Sequence, residues 1–166
     1  MNRKIMVVLL VTALLGAAAC DVDESAEPPF RQVTPESASP LPTASADLLA
    51  GFEELSGLTV PRDATDVRIT AENNQANLPV YRVRFTTGRG GAEQFCTADG
   101  FDAYRSSQPP DAETREEFGI TVETVEGKVT CRGGHPDSRV DREAVVVFPD
   151  EETAVVHVIA FAYPND

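Results

Sequence analysis

From Ile5 to Leu15 only Thr12 interrupts an apolar run, preceded by Arg3 and Lys4 and followed by Gly16-Ala17-Ala18-Ala19. A charged start, a short apolar stretch and a small-residue exit predict a secretory signal peptide over residues 1–19. As a helix, Ile5 to Ala19 would measure about 22 Å, short of the roughly 30 Å hydrocarbon core that a permanent span must cross. The apolar positions Val22, Phe30, Val33 and Leu41 then recur without period among five prolines and many Ser, Thr and Glu residues. Such a stretch cannot bury enough surface to offset its ordering entropy, so a disordered linker is expected over 20–45. As a coil its ends would stand roughly 25 to 30 Å apart, which suits a stand-off tether.

Periodic segments begin at Ser45. Leu48, Leu49, Phe52 and Leu55 share one helical face, with Ser45 placed to cap the start and Gly57 the end, although Gly51 interrupts the run. The period then falls to two. Val67, Ile69 and Ala71 alternate with Arg68, Thr70 and Glu72, and Tyr81, Val83 and Phe85 alternate with Val80, Arg82, Arg84 and Thr86. These predict two half-buried strands joined as a hairpin through Asn73 to Asn77. Gly88 to Gly91 ends the second strand, and Ala92, Phe95, Cys96 and Ala98 then give a short helix face. Pro110 to Gly119 reads as another short helix, capped by Asp111 and stopped by Gly119. Strands are expected over Ile120–Val125, Lys128–Cys131, Glu143–Phe148 and Thr153–Tyr163, the last pair joined by the acidic loop Pro149 to Glu152. Val155, His157, Ile159 and Phe161 lie on one side of the final strand, and Val156, Val158, Ala160 and Ala162 on the other. Apolar on both sides, that strand belongs in the middle of the sheet. The expectation is one α+β domain over residues 46–166, a mostly antiparallel sheet with short helices on one face.

Charge narrows the partners. The chain carries −13 at neutral pH, and removing residues 1–19 with Arg3 and Lys4 takes this to about −15. Nucleic acid and anionic lipid surfaces repel such a protein, because binding them depends on Lys and Arg neutralising phosphates.

The three cysteines are Cys20, Cys96 and Cys131. In an oxidising compartment thiols pair and an odd one needs an account. A bond between Cys96 and Cys131 would staple a helix to a strand; a redox-active pair is the alternative, but there is no C-x-x-C arrangement. Small residues directly before Cys20 resemble the lipobox of bacterial lipoproteins, departing from it at Ala17, where Leu is usual. The resemblance implies a diacylglyceryl group on Cys20, hence a chain held on the extracytoplasmic side of the cell membrane by its lipid. Two acyl chains suffice for stable anchoring. Ala17-Ala18-Ala19 equally satisfies the A-x-A pattern of ordinary signal peptidase, which would release a secreted protein. Arg-rich, Lys-poor composition and the stretch Leu58 to Arg68 (LTVPRDATDVR) resemble small actinobacterial lipoproteins, a likeness that implies no activity.

Chemical motifs are sparse. His135-Pro136-Asp137 resembles the tripeptide of J-domain co-chaperones, but here it follows Gly133-Gly134 in an acidic exported chain rather than joining two helices of a basic domain. The two histidines, His135 and His157, form no zinc signature, and His157 reads as a core or edge residue. Gly88 to Gly91 lacks the phosphate-loop pattern, and the acidic runs Asp137 to Glu143 and Asp150 to Glu152 lack calcium-loop spacing. Neither G-x-S-x-G nor S-x-x-K occurs. No metal or cofactor is expected. Arg68, Arg82 and Arg84 should project from one face of the first hairpin, compensated by Glu72 and other carboxylates or by an anionic partner. The expected function is a non-catalytic envelope module that recognises a protein or wall component. The alternative is a small hydrolase or ligand-binding protein whose site is assembled from scattered carboxylates.

Overall fold

The computed structural model describes residues 41, 45–98, 100–136 and 138–164. The expected signal peptide, Cys20 and the linker up to residue 44, residue 41 apart, lie outside the described residues. The domain is α+β, with a six-stranded antiparallel sheet in the order β1-β2-β6-β5-β4-β3. In chain order the elements are α1 (Ser45–Ser56), β1 (Thr65–Asn73), β2 (Pro79–Gly88), α2 (Arg89–Phe95), β3 (Asp102–Ser106), α3 (Ala112–Phe118), β4 (Lys128–Gly134), β5 (Val140–Val147) and β6 (Thr153–Ala162).

α1 buries Leu48 and Phe52 against the sheet, and Phe52 meets Tyr81 of β2 edge-on. Gly51, the flaw in the helical pattern, has a packing reason: a Cβ there would stand 2.5 Å from the Tyr81 hydroxyl oxygen. The helix closes where the Gly57 N–H donates to the Glu53 carbonyl, and the Ser56 hydroxyl donates to the Phe52 carbonyl while accepting from Leu58 N–H. The stretch Leu58 to Arg68 is the crossing from α1 to β1. Leu58 is fully buried, Val60 N–H donates to Glu53, and Asp63 accepts from the Thr87 hydroxyl.

β6 sits inside the sheet, between β2 and β5, and is buried continuously from Ala154 to Ala160. One face packs under α1 and α2, where Phe85 and Phe95 meet edge to face at 5.3 Å among Val83, Val146, Val156 and Val158. On the opposite face α3 and the segment after it lay Phe118, Ile120 and Val122 over Val145, Val147 and Val155. The helices are thus divided between the two faces, α1 and α2 on one and α3 on the other. Asp111 caps α3 by accepting from Thr114 N–H at 2.8 Å, and Gly119 ends it with φ 61°, a left-handed position that glycine fills without strain.

Two local expectations are corrected, and one strand is added that no pattern announced. Ile120–Val125 forms no strand: Arg115 donates to the carbonyls of Ile120 and Val122, and Val125 N–H donates to Phe148 O. Its alternation reflects two side chains dropped onto a sheet face, not a ladder. Val67 is exposed, because the register shifts between Thr65 and Arg68. Strand β3, exposed along its length, pairs at the edge with β4 and carries no apolar alternation that could announce it.

Cys96, the C-cap of α2, is bonded to Cys131 of β4, with their Cα atoms 5.5 Å apart. The expected staple between helix and sheet is present, and both cysteines are buried. Among the described residues no helix is long and apolar enough to cross a membrane.

Candidate functional site

The β1–β2 hairpin sets the site. Arg68 and Arg84 are direct cross-strand partners, and Arg82 stands two residues before Arg84, so all three project from the α3 side of the sheet. The expected grouping of Arg68, Arg82 and Arg84 is met. Their counter-charges are Asp66, paired with both Arg68 and Arg84, and Glu72, 3.6 Å from Arg82. Glu72 was foreseeable from the alternation. Asp66 was not, because it reaches the arginines only through the bulge, where its φ is 50°. The hydrogen bond from Arg84, with the charge of Arg68, holds the Asp66 carboxyl below its ordinary pKa. Arg82 also donates to the Glu117 carbonyl at 3.0 Å, placing a cation at the C-terminal end of α3.

Beside the arginines lies His157. It faces Arg84 across the β2–β6 ladder and is only 3% exposed. Its Nδ1 is 3.0 Å from the Phe118 carbonyl, which can only accept, so Nδ1 carries the proton and Nε2 presents a lone pair. Nε2 is buried and has no protein partner among the described residues. Burial, helped by the charge of Arg84 and opposed by the Phe118 hydrogen bond, lowers the His157 pKa to about 4. The ring is neutral at pH 7. His157 is therefore a core residue, but one satisfied on a single nitrogen.

Together these groups line a groove of about 190 Å³: the three arginines and Thr70 on one side, Phe118 and Gly119 on the other, His157 and Ile159 at the sheet. Two kinds of polar group line it, guanidinium donors and a neutral imidazole whose free nitrogen can only accept. A second recess, of about 260 Å³, lies on the other face beside the disulfide. It is lined by Ala92, Cys96, Ala103, Val129, Val146 and Phe148, with the Glu93–Arg105 ion pair as its polar element, and offers apolar contact rather than directed chemistry.

The remaining sequence candidates have structural roles. Gly88 is the N-cap of the seven-residue α2, and Arg89 N–H donates to the Glu152 carbonyl, so Gly88 to Gly91 is a strand-to-helix turn. Asp150 accepts from the N–H groups of Glu152 and Thr153 and shapes the β5–β6 turn. In the acidic run Asp137 to Glu143, Asp137 lies outside the described residues, while Arg142 is buried and donates to the carbonyls of Ser56 and Gly134. His135 N–H donates to the Val140 carbonyl. Among the described residues no three His, Cys, Asp or Glu side chains gather as metal ligands.

Sequence reasoning placed the arginines together but missed Asp66, Phe118 and the contribution of His157. The alternation did assign His157 to one face of β6; which strand lies beside it depends on a pairing between segments some seventy residues apart. Comparison with protein-family models, curated proteins and solved structures finds no match to this chain.

Proposed function

We propose that this chain is an exported lipoprotein, anchored through a diacylglyceryl Cys20 on the outer face of the cell membrane. Its α+β domain is a non-catalytic binding module for a carboxylate-bearing envelope component. The observation that carries the binding role is the convergence of Arg68, Arg82 and Arg84 on one groove in a chain of net charge −13. Three guanidiniums share two paired carboxylates, Asp66 and Glu72, which favours an anion at that spot over the rest of an acidic surface. The anchor is supported by parity: with Cys96 bonded to Cys131, Cys20 is the odd cysteine, and a thioether removes it from thiol exchange.

The test is crosslinking on intact cells, comparing the native chain with an Arg68→Gln/Arg82→Gln/Arg84→Gln variant and measuring the mass of the N-terminal peptide in both. The native chain should capture an anionic neighbour that the variant loses, and its N-terminal peptide should begin at a diacylated Cys20. Identical neighbours would defeat the arginine docking, and an unmodified Cys20 on a soluble chain would defeat the anchor.

A further inference from the structure

Building on the arginine groove as a carboxylate site, we infer that its ligand is a hydroxylated carboxylate of the sugar-acid or hydroxy-acid class. The carboxylate takes the place of Asp66 between Arg68 and Arg84, and a hydroxyl donates to His157 Nε2.

Asp66 shows what fits between the two guanidiniums, since its own carboxylate engages both. It is held there from a bulge in an edge strand, with a left-handed backbone that a non-glycine residue adopts at some cost. Its side chain is nearly half exposed, so it can yield the position to solvent-borne carboxylate without disturbing the core. Asp66 acts as an internal stand-in for the ligand.

His157 supplies the second half of the recognition. With Nδ1–H committed to the Phe118 carbonyl, Nε2 can only accept, and a buried acceptor without a donor is unfavourable until one arrives. Arg84 and His157 are cross-strand partners, so one of the two guanidiniums that hold the anion stands on the strand next to the acceptor. A ligand carrying a carboxylate and a hydroxyl on one small unit addresses the guanidiniums and the imidazole together. The groove volume of about 190 Å³ suits one such unit, flanked by the Thr70 hydroxyl and the apolar sides of Phe118 and Ile159.

The experiment uses the purified, isotope-labelled full chain and three probes: D-glucuronate, cyclohexanecarboxylate and D-glucose. Glucuronate should bind about tenfold more tightly than cyclohexanecarboxylate, the worth of one added hydrogen bond to a buried acceptor. The His157 Nε2 nitrogen resonance should move upfield with glucuronate and stay with cyclohexanecarboxylate; glucose should bind no better than the latter. Arg68→Gln/Arg84→Gln should lose both acids, and His157→Phe should keep carboxylate binding while losing the preference for hydroxyls. Equal affinities with an unmoved Nε2 would overturn the hydroxyl contact and leave the arginine site standing. Binding of neither acid would overturn both readings. If His157→Phe fails to fold, the Nε2 shift in the native chain decides alone.

Discussion

Arg142 and His157 lie on neighbouring strands, on opposite faces of the sheet, and meet burial in opposite ways. Arg142 keeps its charge and spends its donors on the carbonyls of Ser56, Gly133 and Gly134, closing α1 and the end of β4 together, with the Phe101 ring 5.0 Å away. His157 gives up its charge instead, and burial takes its pKa from 6.5 to about 4. The consequence is a pH dependence with a definite sign. Well above pH 6.5 the ring is neutral folded and unfolded, and its full contribution is present. As the pH falls toward 4 the unfolded chain binds the proton first, so stability drops by about 3 kcal/mol across that window. Urea midpoints measured at pH 7, 6, 5 and 4.5 should show this decline in the native protein and a much flatter one in His157→Phe. Parallel curves would remove His157 from the acid response. Carboxylates such as Asp66, Asp111 and Asp150, all held below their ordinary pKa by hydrogen bonds, begin to lose their contribution below about pH 5, but they are common to both proteins and cancel from the comparison.

At the scale of elements, one side chain ties α3 to the segment behind it. Arg115 donates to the carbonyls of Pro110, Ile120 and Val122. Its guanidinium N–H groups occupy two carbonyls of the stretch that a ladder at 120–125 would have used. Arg115→Met should lower stability by about 1 to 2 kcal/mol and raise amide exchange selectively over α3 and residues 120–125. Uniform exchange across the sheet would mean that the segment holds itself. The misreading of that segment has the same origin. Period two states that alternate side chains share a side; it does not state whether the backbone bonds go to a strand or to an arginine. α1, the first hairpin and the doubly apolar β6 were legible because their periods are long enough to exclude alternatives. β3 was not, since Asp102-Ala103-Tyr104-Arg105-Ser106 is exposed at every position and is a strand only because β4 presents an edge to it.

For the molecule as a whole, local pattern gave the pieces and long-range pairing made the groove. Alternation put three arginines on one face, yet only the antiparallel pairing of β2 with β6 sets Arg84 against His157, and only α3 brings the Phe118 carbonyl to the ring. Whatever fixes the sheet's far half therefore also steadies the site's frame, and the Cys96–Cys131 bond is the covalent part of that frame. It ties the end of α2 to β4 and closes a loop across 35 residues that contains β3 and α3. In the chain-entropy description such a loop is worth roughly 3 to 4 kcal/mol, a large share of the about 5 to 15 kcal/mol that holds a domain of this size. The double variant Cys96→Ala/Cys131→Ala should melt about 10 to 15 °C lower than the native protein. Reductant should lower the native melting temperature toward that of the variant and leave the variant where it was. Because α1, β1, β2 and β6 lie outside the closed loop, amide exchange in the variant should rise first over β3, α3 and β4. A melting temperature unchanged by both the substitution and reduction would show that packing of α2 on the sheet holds this half without the bond.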